Sequence, residues 1–177
     1  MPIAITLRLD PGLSAAVSGL QKNLEGDGIA EPDPATAYAP HVTIGLFREE
    51  AQREHIEAAL ASLADGLDPP AIKLAHHGVF PGTPAAVFLG PVVTGALLDL
   101  HSRIHAAIQP AATDLHYAVG NWVPHVTLSQ KVADPGAALR ALSACPLPLR
   151  GAGIAIELVR FPPVAVLASY PLSAGGT

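Results

Sequence analysis

A short internal repeat is the feature of this sequence that most constrains its fold. Residues 38–44 read Tyr-Ala-Pro-His-Val-Thr-Ile, and residues 122–128 read Trp-Val-Pro-His-Val-Thr-Leu. The proline, histidine, valine and threonine match outright, and the flanking positions match in kind. A second identical run of four at a given site has chance odds of roughly one in 10⁵. The match is too short for a solenoid, so it indicates two equivalent halves.

Strands and helices alternate irregularly along the chain. Apolar periodicity, capping residues and turn signals predict both kinds of element. The predicted strands are residues 3–9, 41–47, 71–80, 85–89, 122–131, 147–160 and 164–170. The predicted helices are residues 11–26, 49–63, 94–109 and 135–143. Because tight turns join several neighbouring strands, we expect mainly antiparallel sheets and an α+β fold class.

The composition favours one domain inside the cell. A chain of 177 residues, half of them hydrophobic, can bury a sizeable core without disulfides. The single cysteine, Cys145, cannot form an internal disulfide, and the apolar stretch 85–98 is too interrupted to span a bilayer. We therefore expect one cytoplasmic domain over residues 1–177, with halves around 38–47 and 122–131, that is monomeric and binds no membrane.

The charge balance limits the partners. Ten Lys and Arg against fifteen Asp and Glu give a net charge of −5, which argues against a protein that coats long duplex nucleic acid. A small nucleotide or the end of an RNA strand needs only a local positive pocket. These small anionic ligands are therefore the expected partners.

Strand geometry gives the repeat a chemical meaning. Side chains alternate between the two faces of a strand, so each repeat strand buries an aliphatic face and presents polar groups on the other. The residues predicted to share the polar faces are His41, Thr43 and Phe47 in the first strand, and His125, Thr127 and Lys131 in the second. If a pseudo-twofold axis relates the halves, these faces meet across a cleft.

Two opposed histidines suit phosphoester chemistry. Histidine titrates near neutrality, so one of His41 and His125 can act as a neutral base while the other acts as a protonated acid. The hydroxyls of Thr43 and Thr127 can donate to non-bridging phosphate oxygens. This division of labour requires no metal and no cofactor. The sequence does not assign which histidine is the acid.

Two further residues on the predicted polar faces are weaker candidates. Lys131 lies in phase with His125 and could supply positive charge to a phosphate, although a solvated strand end explains it as well. Phe47 shares the predicted face of His41 and is a modest candidate for stacking on a base.

The other histidines carry no repeated pattern. His76 and His77 are adjacent in a predicted strand, which favours a structural or exposed role. His101 and His105 are four residues apart on a predicted helix, a spacing that can hold a metal. No third ligand is evident, so we favour the helix surface for this pair.

The paired His-X-Thr-hydrophobic motifs resemble the 2H phosphoesterase superfamily, and within it the bacterial 2′-5′ RNA ligase (LigT-like) group. The resemblance covers nearly the whole chain, but only the two motifs are specific. It implies a bilobal α+β fold with a central cleft, two facing sheets and helices packed outside. It also implies His41 and His125 as catalytic residues, Thr43 and Thr127 as phosphate ligands, and a position near the cleft for Phe80.

The leading hypothesis is a metal-independent phosphodiesterase. Its substrates would be 2′,3′-cyclic phosphates of nucleotides or RNA ends, or related 2′-linked phosphodiesters, with reversible 2′-5′ RNA ligation as a further activity in this family. The alternative is a binding module that holds a nucleotide or RNA end in the same cleft without turnover. A metallohydrolase that uses the histidine-rich composition is the least favoured hypothesis.

Overall fold

The computed structural model describes residues 1–33, 38–47, 53–109 and 113–173. Its strands are β1 (Ile3–Leu9), β2 (His41–Phe47), β3 (Ala71–Phe80), β4 (Ala85–Pro91), β5 (Val126–Val132), β6 (Leu149–Arg160) and β7 (Ala165–Pro171). Its helices are α1 (Pro11–Gly26), α2 (Arg53–Ala64), α3 (Gly95–Ala107) and α4 (Pro135–Leu142), with a 3₁₀ turn at Leu115–Tyr117. The predicted α+β class is confirmed. The predicted start of the second helix, residues 49–52, lies outside the described residues.

The described strands form one antiparallel sheet in the order β2-β1-β6-β3-β4-β5, with β7 also paired to β6. The long strand β6 belongs to both halves. Residues 153–160 pair with β1, whereas residues 149–152 pair with β3. The two antiparallel halves are therefore continuous through a single strand.

The repeat strands β2 and β5 stand at opposite ends of this order, yet they contact each other. Trp122, which precedes β5, donates its Nε1–H to the main-chain oxygen of Thr43 in β2 at 2.9 Å. The sheet therefore curls until its two end strands meet. This curl brings the two copies of the repeat together.

Strand β5 begins at Val126, four residues later than predicted. Val126 pairs with Leu89, so the next partners would be His125 with Gly90 and Pro124 with Pro91. Neither proline has an N–H to donate to the ladder. The hydrogen-bonded strand ends there, and His125 is left immediately outside it.

The helices cover the aliphatic side of the strands. Helix α1 packs against β6 and β5, α2 against β7 and β6, and α4 against β3 and β4. Asp10 caps α1 by accepting from the N–H of Leu13 at 3.0 Å, and it also accepts from the N–H of Ala152 in β6 at 2.6 Å. The predicted buried stripe of α3 is confirmed: each member is 3% exposed or less, namely Leu97, Leu100, Ile104 and Ile108.

Candidate active site

The two repeat histidines are held in the same way. His41 Nδ1 bonds the main-chain oxygen of Ala39 at 2.9 Å, and His125 Nδ1 bonds that of Val123 at 2.7 Å. A carbonyl can only accept, so in each neutral ring Nδ1 carries the proton and Nε2 is left as the acceptor. Both imidazoles are therefore oriented with a free, basic Nε2.

An equivalent β-bulge follows the threonine of each copy. In β2 the extra residue is Ile44, which follows Thr43 and has no partner on β1. In β5 the extra residue is Leu128, which follows Thr127 and has no partner on β4. A bulge of this kind bends the strand and re-aims the side chains around it. The two halves are thus equivalent in backbone irregularity as well as in sequence.

The first bulge makes the predicted role of Phe47 wrong. Beyond Ile44 the alternation of side chains is inverted, which moves Phe47 away from the face of His41. Its side chain is 0% exposed and lies in the hydrophobic core. Phe47 therefore packs in the core and is not available to stack on a base.

The second bulge and a further register shift in β5 separate Lys131 from the histidine. The Lys131 N–H donates to Ser129 Oγ at 3.0 Å, and its main-chain oxygen accepts from the N–H of Glu31 at 3.1 Å. Its side chain is half-buried. A phosphate contact by Lys131 stays a prediction.

The carbonyls exposed by the bulges are satisfied by side chains from elsewhere in the fold. Thr43 O accepts from Trp122 Nε1, and Ile44 O lies 3.0 Å from His105 Nε2. In the other half, Thr127 O accepts from Gln21 Nε2 at 3.0 Å. In each motif, the main chain is therefore held in place by a side-chain donor that belongs to another part of the fold.

His101 and His105 are buried, at 2% and 7% exposed, so the predicted helix-surface position is wrong. The buried face of α3 is wider than its aliphatic stripe, because each histidine has a carbonyl to bond. His101 Nε2 lies 2.9 Å from Tyr117 O, and its ring stacks on Trp122 with centroids 4.1 Å apart. Burial, then the neighbouring His105, lowers the pKa of His101 to about 4. His101 is therefore neutral near pH 7, and both rings are buried and bonded to main-chain oxygens, which indicates a structural role.

A polar network beside His41 was not found from the sequence. Glu157 is 2% exposed and accepts from the Tyr38 hydroxyl, from Ser169 Oγ at 3.0 Å and from Arg8 Nη1 at 3.0 Å. The Tyr38 hydroxyl also bonds Thr6 Oγ1 at 2.8 Å. The available signal is the polar phase of the first strand, in which Thr6 and Arg8 lie on the face opposite to the aliphatic residues.

Aromatic rings surround His125 instead. Phe80, Phe88 and His116 have ring centroids 4.9, 5.4 and 6.3 Å from that of His125. The ring of Phe88 lies over Gly78, where an added Cβ would come within 2.1 Å of it. Phe80 was expected near the cleft, and in the structure its ring contacts that of His125.

Burial lowers the pKa of both repeat histidines. Smaller effects act on the pKa of His41 in both directions. The hydrogen bond to the Ala39 carbonyl raises it, the charge of His125 lowers it, and the carboxylate of Glu157 raises it. For His125, its bonded carbonyl raises the pKa and His116 lowers it. Strands β2 and β5 contact each other, and the charge of His125 therefore acts on His41.

The adjacent pair in β3 lies apart from this arrangement. His76 is exposed, and its ring covers Gly90 on the neighbouring strand. His77 is half-buried, and burial lowers its pKa. Among the described residues, no group of three or more His, Cys, Asp and Glu side chains could hold a metal ion, and no helix is long and apolar enough to cross a membrane.

A curled antiparallel sheet that unites two His-X-Thr strands defines the class of two-histidine phosphoesterase folds. Residues 9–161 match the model of the 2′-5′ RNA ligase superfamily, and the chain belongs to this family of 2H phosphoesterases. No similar sequence was found among curated proteins.

Solved structures share the fold over nearly the whole chain. TT0787 of Thermus thermophilus has a TM-score of 0.69 at 22% identity, covering 97% of this chain and 98% of its own. E. coli LigT complexed with 3′-AMP has a TM-score of 0.69 at 12% identity, covering 98% and 100%. The PDE domain of MHV ns2 has a TM-score of 0.58 at 18% identity, covering 94% and 99%.

Proposed function

We propose that this chain is a metal-independent phosphodiesterase that acts on 2′,3′-cyclic phosphates of nucleotides or RNA ends, or on related 2′-linked phosphodiesters. The observation that carries the proposal is the pair of imidazoles, each with Nδ1 bonded to a carbonyl and Nε2 free, each followed by a threonine and a bulge. Two proton-transfer groups are more than binding alone requires.

The chemistry needs one proton acceptor and one proton donor. One histidine takes a proton from a water as its oxygen attacks phosphorus, and the bond from phosphorus to a ribose oxygen breaks. The other histidine gives its proton to that departing oxygen, so the product is a phosphomonoester. The hydroxyls of Thr43 and Thr127 donate to the non-bridging oxygens, where negative charge concentrates in the transition state. With a ribose 5′-hydroxyl in place of water as the group that attacks a 2′,3′-cyclic phosphate, and with the 3′-oxygen as the departing group that receives the proton, the same steps would form a 2′-5′ linkage.

Structural relatives support a small-nucleotide substrate. LigT has been crystallised with 3′-AMP, NADP⁺ and ATP, and another relative is a PDE domain. We extend this to the present chain as a monomer that acts in the cytoplasm on nucleotides or RNA ends. Light scattering of the purified protein tests the monomer, because a dimer would double the measured mass.

The test of the function is phosphorus NMR on a panel of nucleoside 2′,3′-cyclic monophosphates, with and without chelator. We expect conversion to a phosphomonoester that chelator does not affect. His41→Ala and His125→Ala should each reduce the rate by about 10²–10⁴-fold. His55→Gln is the matched control and should retain wild-type turnover, because this exposed histidine of α2 lies outside both motifs and its Nε2 bonds the main-chain oxygens of Ile108 and Gln109.

Three outcomes would contradict parts of the proposal. Wild-type turnover in both alanine variants would exclude the histidine pair. Activity lost with chelator would indicate a metallohydrolase. Saturable nucleotide binding without product, across the whole panel, would favour the binding module.

A further inference from the structure

The two repeat histidines have different neighbours at equivalent positions. Across the sheet from Thr43, the paired residues are Thr6 on β1 and then Glu157 on β6. Across the sheet from Thr127, the paired residues are Phe88 on β4 and then Gly78 on β3. The half that carries His41 therefore has a buried carboxylate where the half that carries His125 has a glycine covered by an aromatic ring.

Tyr38 connects this carboxylate to His41. Its ring centroid is 4.7 Å from that of His41, and its hydroxyl donates to Glu157 Oε2. The equivalent aromatic residue of the second repeat, Trp122, points its donor at Thr43 O and stacks on His101. The second half thus has no counterpart of the tyrosine–carboxylate contact among the described residues.

The charged and titratable groups near His41 come from four parts of the described chain. Arg8 on β1 is its cross-strand partner, Glu157 lies on β6, Tyr38 precedes β2, and His125 belongs to the second repeat. Arg8 is 43% exposed at its side chain and so is partly solvated, whereas the Glu157 side chain is only 3% exposed. A buried negative charge acts over a longer range than a solvated positive one.

We propose that Glu157, through Tyr38, is a positioning residue that makes His41 the proton donor of the reaction and leaves His125 as the proton acceptor. The carboxylate of Glu157 favours the imidazolium form of His41. The hydroxyl of Tyr38 donates to this carboxylate, and the ring of Tyr38 contacts the imidazole of His41. The aromatic surroundings of His125, with a second imidazole at His116, favour a neutral ring that accepts a proton. This inference rests on the proposed phosphodiesterase.

The direct test is NMR titration of the imidazole signals of wild type and Glu157→Gln, with the His41 signal assigned by its loss in His41→Ala. Removing the carboxylate charge should move the titration of His41 to lower pH and leave that of His125 in place. This measurement needs no substrate. An unchanged His41 titration would overturn the proposal, whatever the activity of the enzyme.

The kinetic test assigns the role. A proton donor must be protonated before reaction, so its pKa sets the alkaline limb of the profile of kcat/KM against pH. In Glu157→Gln the alkaline limb should move to lower pH, with roughly 3–10-fold lower kcat on the alkaline side. Movement of the acid limb instead would mean that His41 is the acceptor, which would overturn the assignment.

Two further variants separate the effect of the Glu157 charge from other effects of substitution. Ser169→Ala removes a donor to Oε1 of Glu157 but keeps the charge of the carboxylate and the Tyr38 contact at Oε2, so both the titration and the profile should match wild type. Arg8→Gln removes the partly solvated cation, so the alkaline limb should move to higher pH, opposite to Glu157→Gln. A shift in the same direction for Glu157→Gln and Arg8→Gln would point to general damage and overturn the proposal.

Failure of the proposed function can be told apart from failure of this inference. If the wild type is inactive on every substrate but its His41 titration responds to Glu157→Gln, only the proposed function is overturned.

Discussion

The proposed phosphate contacts of Thr43 and Thr127 depend on their hydroxyls. Both side chains are half-buried on the sheet face that carries the histidines, as their cross-strand partners Thr6 and Phe88 indicate. Valine has the same shape and suits a strand equally well. We expect Thr43→Val and Thr127→Val each to lower kcat/KM by about 10–100-fold while the melting temperature stays near wild type.

Steady-state kinetics on an active cyclic phosphate, with a thermal melt of each variant, checks this prediction. Thr43→Ser and Thr127→Ser restore the hydroxyl and should recover most of the lost activity. If the valine variants retain wild-type kcat/KM, the hydroxyls do not contact the phosphate.

At the level of the strand, the bulges separate what the sequence can predict from what it cannot. Strict alternation correctly places Val42 and Ile44 in the core, and the histidine and threonine of each copy are only half-buried. Beyond Ile44 the alternation continues in the wrong phase, which is why it predicts Phe47 on the face of His41. An extra residue in a strand has no signal in the apolar pattern, since the bulged positions are themselves aliphatic.

Helix α3 and strand β6 show a second limit of pattern analysis. The polar residues His101 and Glu157 are both 2% exposed, although a polar residue is ordinarily assigned to the surface. Their partners are Tyr117 O in one case and Tyr38 and Arg8 in the other, each distant in sequence. Only the tertiary structure shows that these groups are satisfied, so only it shows why they can be buried.

The contact between the two repeat strands gives a prediction for Trp122. Trp122→Phe keeps a ring against His101 but removes the donor to Thr43 O. The free energy of unfolding should fall by about 1–2 kcal/mol, because a partly buried carbonyl loses its partner. Since that carbonyl belongs to the motif that we propose is catalytic, kcat should also fall, by about 3–10-fold, with little change in KM.

Urea denaturation and single-turnover kinetics measure the two effects separately. Gln21→Leu is the matched variant, because Gln21 Nε2 is the donor to the equivalent carbonyl of Thr127. Both variants should show the same pattern. A loss of stability with unchanged kcat in both would mean that the motifs keep their geometry without these donors.

Over the whole molecule, buried histidines make the fold sensitive to acid. The pKa of each of His41, His77, His101 and His125 is lowered, chiefly by burial. Each therefore binds fewer protons in the folded than in the unfolded chain between its folded pKa and about 6.5. Unfolding takes up protons in this range, so stability is complete above about pH 6.5 and falls as the pH decreases.

His101 should contribute most of this dependence. Its pKa of about 4 corresponds to roughly 3 kcal/mol of stability lost between about pH 6.5 and about pH 4. The control is His101→Phe, which can stack on Trp122 but does not titrate. Urea denaturation at about pH 8 and about pH 5 should show a smaller difference in this variant than in wild type.

The variant should also be less stable than wild type at the higher pH, because Tyr117 O loses its partner. An equal pH dependence in both proteins would place the acid sensitivity elsewhere in the molecule. The expected result has a consequence for catalysis, since Trp122 lies between His101 and the main chain of Thr43. Protonation of His101 would disturb that stack, so activity should be lost in acid together with stability. This loss should add to the decrease in activity that protonation of His41 and His125 causes by itself.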